Sequence, residues 1–151
     1  MRVLWYADAQ LPAVTGAPAS GGGWIEGLRR ALEEFAPEVE LGIASPGPVA
    51  HDVFSAGNAT YFHVAHPAAG GRMAEVGRRW RHVPVPDGAV TGCVAIARAY
   101  GPEVVHVHGA EHYFGLATPH VEAPVVVSLQ GIATVLQRFS LAGLRWPEIL
   151  R

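Results

Sequence analysis

Short apolar runs alternate with stretches of helical periodicity along this chain, and that alternation restricts the fold more than any other feature. The runs are Val3 to Ala7, Val39 to Ala44, Thr60 to Ala65, Val104 to His108 and Val125 to Leu129. Val3 to Ala7 is apolar without interruption, as expected for a strand buried on both faces of a parallel sheet. Between the runs, Trp24, Ile25, Leu28, Leu32 and Phe35 recur at helical spacing, with Glu26, Arg29, Arg30, Glu33 and Glu34 opposite them. Pro37 stops that helix. Asp87 is a suitable N-cap for a second helix whose apolar face is Val90, Cys93, Val94, Ala97 and Tyr100, and Gly101-Pro102 ends it. A short helical piece follows from Ala110 to Ala117, a weaker helical signal covers Met73 to Trp80, and the apolar tail from Ile132 to Arg151 has room for a helix. Ser45-Pro46-Gly47-Pro48 and Ala56-Gly57-Asn58 read as loops. The expected fold is therefore α/β: a doubly wound parallel, Rossmann-like sheet with strand order 3-2-1-4-5. Its switch point lies between the first and fourth strands.

At 151 residues the chain fits a single domain spanning 1–151, able to bury roughly two thirds of its unfolded surface. Only 16% of residues are charged and the formal charge is -2, so no electrostatic case for nucleic acid arises. All eleven basic residues are arginine, which reads as compositional bias. The single Cys93 makes no internal disulfide and lies in an apolar helical pattern; a reduced, buried thiol and a cytoplasmic setting are expected. The first apolar run meets Asp8 too soon to form a signal-peptide core or a membrane span. A mean hydropathy of +0.20 without such a span implies apolar surface covered by something beyond this chain.

Two features carry candidate chemistry. The segment from Asp8 to Gly23 is about fifteen residues long, a length at which structureless connections are usually functional or disordered. Its glycines stand at the start of a helix, where free N–H groups and the positive end of the macrodipole favour phosphate or carboxylate. A flexible surface loop is the competing reading. No GxGxxG fingerprint is present, nor a P-loop with its lysine. The second feature is the strand Val104-Val105-His106-Val107-His108-Gly109, in which His106 and His108 point to one face and His108 is nearer the carboxyl end, where ligands of open α/β sheets bind. The glycine-rich turn and His108 are expected to border one crevice.

A three-histidine metal site with His112 is conceivable by ligand type, but no downstream carboxylate or histidine set completes it, so no metal is expected. His106 reads as a satisfied core histidine, a fair reading for His112 too, and His108 as functional. Asp8 and Glu111 border the strand ends as hydrogen-bonding candidates or as solvated residues. Arg78-Arg79-Trp80-Arg81 reads as a solvated helix face, with an anionic acceptor or peripheral membrane contact as the alternative.

With these residues in place, the chain resembles the N-terminal domain of retaining GT-B glycosyltransferases of the family-four, group-1 type. The resemblance rests on the first strand followed by the turn at Gly22-Gly23 into a helix, on Pro102 to His108, and on the Ala-Pro-Val-Val-Val-Ser-Leu-Gln-Gly segment at Ala123 to Gly131. It implies half of a GT-B fold that binds the acceptor, while a C-terminal domain absent from this chain holds the nucleotide sugar donor. It also implies transfer of a hexose to a hydroxyl acceptor with retention, without a cofactor. Gly22 and Gly23 would approach the donor diphosphate and His108, the catalytic candidate, the transferred sugar. Gln130 and Gly131, with Asp8, Glu111 and His112, would line the acceptor side. The family often has a histidine where this chain has Gln130; glutamine still hydrogen-bonds a hydroxyl. The glutamate pair and the Arg/Lys that hold the leaving diphosphate are missing, so the chain is expected to be inactive alone. Two rival readings are half of a nucleotide-sugar epimerase and a stand-alone Rossmann-like binding module.

Overall fold

A computed structural model describes residues 1–7, 23–47, 53–65, 88–109 and 113–129. Among the described residues six strands form one sheet: β1 (Arg2–Ala7), β2 (Glu40–Gly47), β3 (Val53–Ala56), β4 (Ala59–Ala65), β5 (Val104–His108) and β6 (Val125–Ser128), in the order β3-β4-β2-β1-β5-β6. The helices are α1 (Gly23–Phe35), α2 (Ala89–Tyr100) and the single turn α3 (Phe114–Ala117), which runs into a 3-10 turn at Thr118–His120.

Every pairing is parallel except β3 with β4. The five parallel strands stand in the order expected from the sequence. The addition is β3: the stretch between the second and third apolar runs supplies a short antiparallel edge strand, turned back at Gly57-Asn58. Gly57 has φ of +63°, a backbone region that favours glycine and suits a tight two-residue hairpin.

Burial on both faces explains the continuous apolar runs. On one face Leu4, Tyr6, Ala44, Phe62, Val64, Val105 and Val107 pack beneath α2 and α3. On the other, Trp5, Ala7, Leu41, Ile43, Ala59 and Tyr61 pack with Ile25 of α1. The sheet is thus wound on both sides, α1 covering one face and α2 the other. The α2 face matches expectation: Cys93, Val94 and Ala97 are buried, Val90 and Tyr100 are packed against them, and Gly101 ends the helix with φ of +63°, donating its N–H to the Ala97 carbonyl at 2.9 Å. The helix starts at Ala89 with Gly88 as its cap; Asp87, the expected cap, lies outside the described residues.

The expected face of α1 is corrected. Phe35 is 78% exposed, and Trp24 and Leu28 are also exposed, whereas Ile25 and Glu26 are buried and Arg29 and Leu32 half-buried. Arg29 explains the rotation. Its guanidinium donates Nε and Nη2 to both oxygens of Glu26 at 3.0 Å and Nη1 to Glu33 at 2.9 Å. Satisfying the head in this way lets the stem lie where an apolar residue was expected. The Arg29 contact is the main cause that holds the Glu26 carboxyl below its usual range.

At the amino end the strands are laced together. The Arg2 N–H donates to Glu103 Oε2 at 2.7 Å, Arg2 Nη1 to the Tyr100 carbonyl at 2.9 Å, and the Glu103 N–H to the Arg2 carbonyl at 2.8 Å. No helix among the described residues is long and apolar enough to cross a membrane.

Candidate functional site

The order of the parallel strands reverses between β1 and β5. From β1 the chain crosses by α1 to β2 on one side, and from β4 it crosses by α2 to β5 on the other; their carboxyl ends flank the crevice where such sheets bind ligands. Trp5 pairs with His106 and Ala7 with His108 in a parallel ladder, so both histidines stand on the α1 face. His108 is therefore the last residue of β5, one strand from the end of β1.

Three rings enclose the His108 imidazole. Trp5 meets it edge-on with centroids 4.7 Å apart, Trp24 edge-on at 5.2 Å, and His106 at 3.9 Å. His108 is 5% exposed and neither ring nitrogen has a hydrogen-bond partner. Burial, with a smaller contribution from His106, pulls its pKa down to about 4, so the ring is uncharged at neutral pH. An uncharged imidazole offers one donor and one acceptor, and leaving a buried polar group unpaired costs about 1–3 kcal/mol. A buried polar group left unpaired calls for a compensating role, and a catalytic or ligand-binding one is among those known.

His106 behaves differently. Its Nε2 is hydrogen-bonded to Ser128 Oγ at 2.6 Å, and the ring is half-buried, with burial lowering its pKa. The pairing across to β6 gives it the structural part expected of it. Among the described residues no group of three or more His, Cys, Asp or Glu side chains is placed to hold a metal ion.

Gly23, the first residue of α1, is exposed, and a Cβ built on it meets nothing within 4 Å. Open space lies over this helix start, one residue from the Trp24 ring that touches His108. The first turn of α1 and His108 thus lie side by side at the carboxyl edge of β1 and β5. Of the other site candidates, Asp8, Gly22, Glu111, His112, Gln130 and Gly131 lie outside the described residues, as do Arg78 to Arg81.

Two polar residues on the same edge were not singled out from the sequence. Ser45 pairs with His63 in the β2–β4 ladder, and Tyr6 pairs with Ala44, which sets Ala7 beside Ser45. With Ala7 paired to His108 and His108 to Ser128, one transverse row reads His63, Ser45, Ala7, His108, Ser128. His63 is 7% exposed, and both its ring nitrogens are buried without partners. The signal was present as alternation: Leu41-Ile43-Ser45 and Ala59-Tyr61-His63 each end an apolar i, i+2 series in a polar residue, as Trp5 and Ala7 face His106 and His108.

No protein-family model matches the chain, and no curated protein matches it. Among solved structures it is similar to sucrose-phosphate synthase from Thermosynechococcus elongatus, with a TM-score of 0.60 and 14% sequence identity over 95% of this chain and 36% of that one. The chain therefore spans about a third of that protein's length. At this identity the likeness is one of fold alone, a Rossmann-like α/β domain.

Proposed function

We propose that this chain is the acceptor-side, N-terminal domain of a retaining glycosyltransferase that moves a hexose from a nucleotide diphosphate sugar to a hydroxyl acceptor. In this reading a C-terminal domain beyond the chain holds most of the donor, and the chain alone is inactive. The observation that carries it is the buried, unpartnered His108 at the β1–β5 switch point, beside the open start of α1. The likeness in fold to sucrose-phosphate synthase supports it.

Each residue has a definite part. Gly22 and Gly23 let the donor diphosphate approach the N–H groups at the head of α1, whose positive dipole end favours it. His108, uncharged at neutral pH, exchanges a hydrogen bond with a hydroxyl of the transferred sugar and orients it without adding a cation to the site. The indoles of Trp5 and Trp24 fix the ring's orientation. Asp8, Glu111, His112, Gln130 and Gly131 contact the acceptor. Charge on the departing diphosphate needs preorganised donors beyond one helix start, hence the requirement for the companion domain. The reading invokes no cofactor.

Saturation-transfer NMR on the chain, with simple glycosides and nucleotide sugars, tests this. Glycosides are expected to contact the chain near His108, nucleotide sugars near Gly23, and His108→Ala to weaken glycoside binding about tenfold, the worth of one hydrogen bond. Contacts confined to other surfaces would overturn the assignment.

A further inference from the structure

We propose that Ser128 is a positioning residue for His108: its hydroxyl fastens the His106 ring, and that ring in turn sets the orientation in which His108 meets a sugar hydroxyl. The inference rests on the sugar-transferring reading above and adds to it the residue that governs His108.

His108 has no hydrogen bond to fix its own ring. Both of its nitrogens are buried and unpartnered, and the torsion that carries an imidazole is broad, so the ring takes its orientation from what it packs against. Three rings do this. Trp5 and Trp24 meet it at steep angles, 73° and 62°, whereas His106 is the nearest, at 3.9 Å, and lies at 36° to it, closer to face-on. The plane of His108 therefore follows the plane of His106 more closely than that of either indole.

His106 is fixed where His108 is not. Its Nε2 is hydrogen-bonded to Ser128 Oγ at 2.6 Å. Ser128 is well placed to hold it: the residue pairs with His108 in the β5–β6 ladder, and its carbonyl accepts the Gly109 N–H at 2.8 Å, which ties its backbone to the end of β5. From there the hydroxyl reaches diagonally, to the histidine two residues earlier on the neighbouring strand. A hydroxyl both donates and accepts, so Ser128 serves either tautomer of His106 and fixes the direction of Nε2 in both. The His108 nitrogens are left to a ligand.

The test compares Ser128→Val with Ser128→Thr in the 151-residue chain, by NMR with methyl α-glucoside as the probe. The two side chains match in shape, both suit a strand, and they differ in the hydroxyl. Ser128→Thr is expected to keep the contacts between the His108 ring protons and the Trp24 indole, and to keep the glucoside affinity. Ser128→Val is expected to redistribute those contacts before any ligand is added and to weaken glucoside binding about three- to tenfold, the worth of one hydrogen bond. In a His106→Phe background the Ser128→Val change should add nothing, because Ser128 acts through the ring that has been replaced. A Ser128→Val chain that matches the unsubstituted one, equal losses in the two variants, or a loss that persists undiminished in the His106→Phe background would each overturn the positioning role and leave the proposed function standing. If the glucoside leaves His108 of the unsubstituted chain unmoved while Ser128→Val still reorients the ring, the proposed function is overturned and the orienting role of Ser128 stands.

Discussion

The indole of Trp24 meets the imidazole of His108 edge-on, ring centroids 5.2 Å apart, and so ties the first turn of α1 to the last residue of β5. Two segments more than eighty positions apart in the chain thus meet at the carboxyl edge of the sheet. The contact also helps keep His108 out of water, which is why its ionisation departs so far from that of a free imidazole.

That departure makes stability depend on pH. The folded pKa of His108 is about 4, below the ordinary value of 6.5. Above pH 6.5 the ring is neutral in both folded and unfolded chains and contributes no pH dependence. Between about 6.5 and 4 the unfolded chain takes up a proton that the folded chain refuses, so stability falls as pH falls; below about 4 both are protonated and the loss levels off. His106, shifted the same way by burial, adds to it. The expected loss from His108 is about 1–3 kcal/mol, read as a lower urea midpoint at pH 4.5 than at pH 7, and His108→Gln should flatten the difference.

Gly42 lies under the Tyr100 ring. A Cβ there would come within 2.9 Å of Tyr100 Cε1 and Cζ and 3.1 Å of Leu4 Cδ1, and the ring is held by its hydroxyl, which donates to the Glu40 carbonyl at 2.9 Å. Gly42→Ala is expected to destabilise the chain by about 1–3 kcal/mol through overpacking. Thermal unfolding followed by circular dichroism would show it, and the companion Tyr100→Leu should recover part of the loss.

Gly101 ends α2 with φ of +63° while its side is open to Arg2 at 3.5 Å. Strain, not crowding, therefore governs substitution here. Gly101→Ala is expected to cost about 1 kcal/mol and Gly101→Asn less, since asparagine tolerates the left-handed region. Denaturant midpoints of the two variants would separate the explanations: equal losses would point to crowding.

Cys93 is wholly buried, and burial pushes its thiol up to about 12. Its own carbonyl accepts the Tyr6 hydroxyl at 2.8 Å, which fastens α2 to the sheet. A thiol-specific reagent is expected to label Cys93 only as fast as the chain unfolds, so labelling in native buffer should track the unfolding rate and become immediate in strong denaturant. Fast native labelling would contradict this packing.

The parallel core was legible because strands buried on both faces leave apolar runs that need no partner to be recognised. The edge strand Val53–Ala56 was not, because a four-residue strand with one neighbour carries little pattern, and its pairing is set by the Gly57-Asn58 turn. The seat of α1 escaped for another reason: a pairing that satisfies Arg29 turns a charged position into an inward-facing one, and periodicity counts charge as outward. At the site, His108 was legible as a histidine closing a strand at the expected switch point. His63 and Ser45 join it only through strand register, which links segments far apart in the chain and leaves no local trace.

The reversed direction of β3 gives the two margins of the sheet different fates. A brief antiparallel hairpin turned at Gly57-Asn58 finishes the β4 side. Among the described residues the Val125–Ser128 margin instead runs parallel to its neighbour and leaves two consecutive valines, Val126 and Val127, half-uncovered, where the β3 margin uncovers Val53.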